Sequence, residues 1–258
     1  MAAGLHTLER PPLGDGAPPP CPVLLVHGTM DRASSFGRLM TRLADWPIVA
    51  YDRRGYAGSI GVGPSERFDD QVDDLLSVAG ERPLLAVGHS YGGNVVLAAA
   101  QRRPDVIVGA LVWEAPRMWE ATGRRSAAAD AARSDRPPEE QAEDFMRRMV
   151  GERVWSSLPA RTKAQRRAEG PTLVAELRAL AAGAPYDPAR VPIPVLSGYG
   201  SASRPHQRAN AAMAALRLPQ GRCVVVAGAQ HGVHLSHPAD LAALVHDLAR
   251  WVYGDATV

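Results

Sequence analysis

Val87-Gly88-His89-Ser90-Tyr91-Gly92-Gly93 is the stretch that decides the fold. An apolar run, Leu84 to Val87, ends at Gly88, and a second apolar run, Val95 to Ala100, starts just beyond Gly93. Strand, tight turn and helix follow one another, with Ser90 at the turn. The G-x-S-x-G spacing has a steric reason. A serine held in a strained backbone conformation needs small residues two before and two after it if strand and helix are to pass closely. Its hydroxyl is then lifted clear of the sheet. The following helix turns its amides and positive dipole end toward charge that develops beside that oxygen.

Working outward, Val23 to Val26 is a short continuous apolar run of the kind expected for a strand covered on both faces, and it ends at His27-Gly28-Thr29-Met30. A helix over about 35–44 and a strand at Ile48 to Tyr51 follow. The turn-rich Asp52-Arg53-Arg54-Gly55-Tyr56-Ala57-Gly58-Ser59 comes next, and then a helix near 66–78. Beyond the serine, Ile107 to Trp113 reads as another buried strand ending in Glu114-Ala115-Pro116. Strands alternating with helices at this spacing predict βαβ units and a mostly parallel sheet.

The alternation stops at Arg117 and resumes after Arg190. Between them, 140–150 and 171–182 carry apolar residues at helical spacing, the second opening on Pro171 and closing before Gly183. The prediction is an α/β core over 1–116 and 191–258 with a helical cap inserted over 117–190. The core resumes with a strand at 193–196, a helix near 206–216, a strand at 223–227 and a closing helix over 238–252. Residues 1–20, rich in Pro and Gly, read as a weakly paired lead-in with a strand hint at 5–9.

Composition narrows the function classes. A net charge of +2 on 258 residues argues against nucleic acid or an anionic membrane as partner, and 46% hydrophobic with 22% charged residues is ordinary for a globular chain. Cys21 and Cys223 are too few for a disulfide framework, and both are expected as reduced, buried thiols. No stretch reaches the roughly 20 apolar residues of a membrane span, and no signal segment is evident, so a cytoplasmic location is expected.

A serine nucleophile needs a base within hydrogen-bond reach and a third group to orient that base. Gln230-His231-Gly232-Val233-His234 follows the strand at 223–227, and His231 lies nearest the strand end. His234 and His237 have a spacing that superficially suits a metal. With no carboxylate or cysteine beside them in sequence, a capping and packing role is expected, and neither a metal nor a cofactor is called for.

His27-Gly28, Gly88-His89-Ser90-Tyr91-Gly92-Gly93, the 52–59 loop and His231, in that order, resemble the α/β-hydrolase superfamily over nearly the whole chain. The resemblance implies an eight-stranded, mostly parallel sheet flanked by helices, with a helical cap after the sixth strand. It also implies an oxyanion hole built from the Tyr91 amide and one from the His-Gly loop, Thr29 or alternatively Met30. In the family the triad acid usually follows the seventh strand, but here that position reads Ser197-Gly198-Tyr199-Gly200-Ser201-Ala202-Ser203, without a carboxylate. Glu114, at the end of the sixth strand, is the candidate acid, and Ser90, Glu114, His231 keeps the order Ser…Asp/Glu…His. A serine nucleophile speaks against epoxide hydrolase or dehalogenase chemistry. The expected function is hydrolysis of a carboxylic ester, thioester or lactone through an acyl-enzyme. The alternative is a lyase, an acyltransferase or a ligand-binding receptor with an incomplete triad. Met118, Trp119, Phe145, Met146 and Trp155 are the candidate lining for a small, partly apolar substrate.

Overall fold

The computed structural model describes residues 4–13, 19–120 and 134–254. Its strands are β1 (Thr7–Arg10), β2 (Val23–Val26), β3 (Ile48–Tyr51), β4 (Leu84–His89), β5 (Ile107–Trp113), β6 (Val195–Gly200) and β7 (Gly221–Val226). They form one seven-stranded sheet in the order β1-β3-β2-β4-β5-β6-β7. Only β1 runs antiparallel, against β3; the other pairs are parallel. The resemblance implies eight strands, and the described residues carry seven, because a single antiparallel strand precedes β2. The strand counted as sixth by the resemblance is therefore β5 here.

Period-two alternation sends side chains to two separate layers. Leu24, Val26, Ala86, Ala110 and Val112 face one core, with the helices α2 (Phe68–Ala79) and α3 (Tyr91–Arg102). Val23, Leu25, Leu85, Val87 and Leu111 face the other, with α1 (Gly37–Arg42) and, at the far end of the chain, α10 (Pro238–Tyr253). Runs without polar residues are the consequence of a sheet covered on both faces.

β6 begins two residues later than its apolar run predicts and extends through Ser197-Gly198-Tyr199-Gly200. The glycine is there for packing: a Cβ on Gly198 would sit 2.6 Å from the Trp113 ring. Cys21 is buried as expected, whereas Cys223 is exposed. Its strand is the outermost of the sheet, so one face of β7 lies open to solvent.

Between β5 and β6 the described chain is helical, with α4 (Pro138–Val150), α5 (Glu152–Ser157), α6 (Ala160–Ala168) and α7 (Gly170–Ala182). A third apolar cluster joins Ala142, Met146, Trp155, Leu173 and Leu177 of these helices to Met30 and Tyr56, which follow β2 and β3. The helical insertion thus rests on the loops at the C-terminal ends of the strands, the edge where Ser90 also lies. After β6 come α8 (Pro205–Arg217) and, beyond β7, the short α9 (Val233–Ser236). No described helix is long and apolar enough to cross a membrane.

Candidate active site

Ser90 stands between β4 and α3 with φ 52° and ψ −122°, a region that costs of order 1–3 kcal/mol for a residue with a side chain. Its surroundings impose the conformation. A Cβ on Gly88 would meet the Gly93 Cα at 2.6 Å, and one on Gly92 would meet the Val26 carbonyl oxygen at 2.4 Å. The Ser90 amide donates to the Trp113 carbonyl at 2.8 Å, and its own carbonyl accepts from the Gly93 amide at 2.9 Å. Gly28 brings the loop after β2 alongside, where a Cβ would lie 3.0 Å from the Ser90 Cβ.

One strand over, Glu114 follows β5 and also adopts a positive φ, 48°. That kink turns its carboxylate toward the tip of β6 and the loop after β7. Its Oε2 accepts a hydrogen bond from His231 Nδ1 at 2.8 Å. Oε1 accepts from the Gly200 amide at 3.0 Å and from the Ser203 hydroxyl. Burial alone would raise this carboxyl, but the bonds from His231, Ser203 and Gly200 outweigh it and hold Glu114 below the usual carboxylate range. With Nδ1 carrying the proton, the other imidazole nitrogen of His231 is left as a base. The His231 loop is anchored in turn by His89, whose Nε2 donates to the His231 carbonyl at 2.8 Å.

The His27-to-Met30 turn is built on a buried polar network. His27 donates from Nδ1 to the Gly28 carbonyl at 2.7 Å and accepts at Nε2 from the Arg53 amide at 2.8 Å. Burial and the neighbouring Arg53 push this imidazole down to about 3, so it is neutral with a fixed tautomer. The Arg53 guanidinium donates to the carbonyls of His27 and Gly28, at 2.8 and 3.0 Å, and pairs with Glu176. Glu176 Oε2 accepts from the Thr29 hydroxyl at 2.7 Å and from the Tyr56 hydroxyl at 2.9 Å. Burial and the adjacent Glu176 carboxylate raise the Tyr56 phenol well above its ordinary value, so it stays a donor.

Glu176 escaped the sequence reading. The available signal was a lone acid at the spacing of Thr172, Leu173, Leu177 and Leu180, the buried stripe of α7. Through it the helical insertion grips the turn that carries Thr29.

A cavity of about 630 Å³ opens over Ser90, His231 and Glu114, and Thr29, Met30 and Tyr91 also line it. Of the five candidate lining residues, Met118, Phe145 and Met146 lie on its wall, joined by Leu177 and Leu180. Trp155 and Trp119 lie off it. Trp155 is buried in the insertion's own core with its indole N–H bonded to Glu143 at 3.3 Å, and Trp119 packs edge-on against Tyr186. A second cavity of about 270 Å³, at the opposite ends of the strands beside Val23, Val78 and Leu84, holds none of these groups. His234, without a carboxylate beside it in sequence, meets one in space: Asp31 approaches it from the loop after β2, Oδ2 to Nε2 3.5 Å. His237 is half-buried and contacts the Ser236 hydroxyl at 2.9 Å.

Over 110 residues the chain is 33% identical to lipase LipV of Mycobacterium tuberculosis, a match over 42% of this chain and 40% of that protein. Over 89 residues it is 36% identical to a putative carbamate hydrolase RutD of Caulobacter segnis, 32% of this chain and 33% of that protein. The matched stretches thus span well under half the length of these curated relatives. Among solved structures, an esterase from Thermogutta terrifontis superposes with a TM-score of 0.72 at 20% identity, over 96% of this chain and 94% of that one. At that identity the likeness is one of fold. Residues 23–244 match the alpha/beta hydrolase family, most of the chain, and the protein belongs to that family.

Proposed function

We propose that this chain is a serine hydrolase that cleaves a carboxylic ester, thioester or lactone, with Ser90 as nucleophile, His231 as base and Glu114 as the orienting acid. The observation that carries the reading is the 2.8 Å contact between Glu114 Oε2 and His231 Nδ1, across the cavity edge from a serine at φ 52°. In the proposed reaction His231 takes the Ser90 proton while the oxygen attacks the substrate carbonyl carbon. The tetrahedral oxyanion is held by the amides of Tyr91 and Thr29, each worth on the order of 3 kcal/mol in such sites. Collapse expels the alcohol or thiol, which leaves with the proton from His231. Water, deprotonated by the same imidazole, then releases the acid and restores Ser90.

The relatives' names, a lipase and a putative carbamate hydrolase, point the same way. The ligand-receptor alternative rests on the missing carboxylate at the tip of β6, and the contact that Glu114 makes with the histidine from β5 speaks against it; a lyase or an acyltransferase would use the same residues. The mixed wall of the cavity, with Met118, Phe145 and Leu177 beside Thr29 and Arg166, favours a substrate with an apolar acyl part. The test is turnover of p-nitrophenyl esters of increasing chain length by the wild type and by Ser90→Ala. Loss of turnover in a folded Ser90→Ala protein supports the reading, and retention removes it.

A further inference from the structure

We propose that Asp31, His89 and His234 form a binding site for one divalent transition-metal ion of the zinc class, and that filling it suppresses turnover at Ser90. The inhibitory part rests on the hydrolase reading above; the binding part does not.

One nitrogen from each histidine and one Asp31 oxygen lie within 4.8 Å of one another. Both histidines are buried, His89 at 7% and His234 at 2% exposure. The bond from His89 Nε2 to the His231 carbonyl at 2.8 Å fixes the tautomer and leaves Nδ1 a bare lone pair. Among the described residues, His89 Nδ1 and His234 Nδ1 have no hydrogen-bond partner, and His234 Nε2 has only the long contact with Asp31. Buried nitrogens without partners are costly in a folded protein, and here they converge beside a carboxylate.

The spacing suits a metal better than a hydrogen bond. His234 Nε2 and Asp31 Oδ2 are 3.5 Å apart, long for a charge-assisted bond. It is close to the roughly 3.3 Å edge of a tetrahedron whose metal–ligand distances are about 2.0–2.1 Å. The other ligand-atom separations are no more than 4.8 Å, and filling the site requires them to shorten toward that edge length. Two imidazoles and one carboxylate select zinc, cobalt, nickel or copper over magnesium or calcium, which take oxygen ligands. All three residues line the cavity, so its solvent supplies a fourth ligand.

Inhibition follows from position. His89 adjoins Ser90, and its ring centroid lies 4.7 Å from that of His231. A dication bound to His89 opposes the imidazolium that His231 must become during acyl transfer.

The experiment uses the full chain, freed of metal by a chelator, in a Ser90→Ala background so that binding is read apart from hydrolysis. Cobalt(II) is titrated while its visible ligand-field absorption is followed, and zinc is then added to displace it. One ion per chain is expected, and magnesium should not compete. His234→Gln and, independently, Asp31→Asn should each weaken binding more than about tenfold, while His237→Gln, outside the cluster, leaves it unchanged. In the wild type, zinc should lower ester turnover by at least about tenfold in a chelator-reversible way, and His234→Gln should abolish that sensitivity. Absence of a stoichiometric site, or binding that survives both ligand substitutions, overturns the proposal. Zinc inhibition that persists in His234→Gln places the ion at His231 instead and equally overturns it. A wild type that binds the ion but turns over no ester leaves the site standing and refutes only the hydrolase reading.

Discussion

Replacing Glu114 by Gln changes one oxygen for an NH₂ group in a nearly identical shape, and the surroundings dictate which way the amide faces. Oε1 accepts from the Gly200 amide at 3.0 Å and from the Ser203 hydroxyl. Turning the NH₂ that way would set it against the Gly200 N–H, donor against donor, and cost about 1–3 kcal/mol, although the Ser203 hydroxyl could rotate to accept. The amide oxygen therefore takes the Oε1 place, and the NH₂ faces His231 Nδ1, at 2.8 Å in the wild type. Nδ1 must then accept, so the proton moves to the other nitrogen, which can no longer take one from Ser90. The substitution locks the wrong tautomer and also removes the charge that stabilises the imidazolium. The expected loss in kcat is about 10³–10⁴-fold, or roughly 4–5.5 kcal/mol of barrier. KM should change little, because the carboxylate acts on the transition state and not on substrate binding. Steady-state kinetics on an active p-nitrophenyl ester, with thermal melts to confirm folding, is the assay. A folded Glu114→Gln protein within about tenfold of wild-type kcat would refute the reasoning and leave Glu114 a structural link between β5 and β6.

His231→Ala should lose most of the activity, whereas His234→Ala and His237→Ala should each keep at least roughly a tenth in metal-free buffer; the opposite ranking in the same ester assay would misplace the base. Glu176→Ala strands the buried Arg53 charge, so urea unfolding should show a loss of about 3–5 kcal/mol, and a loss below about 1 kcal/mol would mean that solvent reaches the pair. Stability should also fall as pH drops below about 6.5, by roughly 1.4 kcal/mol per unit for each histidine that stays neutral only when folded. Burial and Arg53 push His27 down to about 3, and burial with the neighbouring His234 and His231 pushes His89 well below its ordinary value. The unfolded chain therefore binds protons that the folded one refuses. Urea titrations between pH 7 and 5 that show no change would contradict this.

The parts legible in the sequence are those set by local patterns. Val23–Val26, Ile48–Tyr51 and Ile107–Trp113 end where their apolar runs end, since a strand covered on both faces tolerates no polar residue within it. Ser90 and Glu114 stand out in the sequence because each directly follows an apolar strand run, and His231 because it lies in the loop after the last such run. What stayed hidden depends on segments distant along the chain. Nothing in Val112-Trp113-Glu114 tells that Gly200 and Ser203 hold its second oxygen, nor that Asp31 would meet His234, 203 positions later. Glu176 stands locally as a lone acid on the apolar stripe of its helix, but its partners Thr29, Tyr56 and Arg53 come from two earlier loops. Cys223, at the start of a predicted strand, is expected to be buried, but a strand's own sequence does not tell whether it is central or at the edge of the sheet.

Labelling with a fluorophosphonate probe, followed by peptide mapping, tests the central claim most directly, because it needs no knowledge of the substrate. An activated Ser90 should give a single adduct on the peptide that contains it, and none in a folded Ser90→Ala protein. A folded wild-type protein that stays unlabelled, or an adduct on any other residue, would contradict the claim that this serine is a nucleophile.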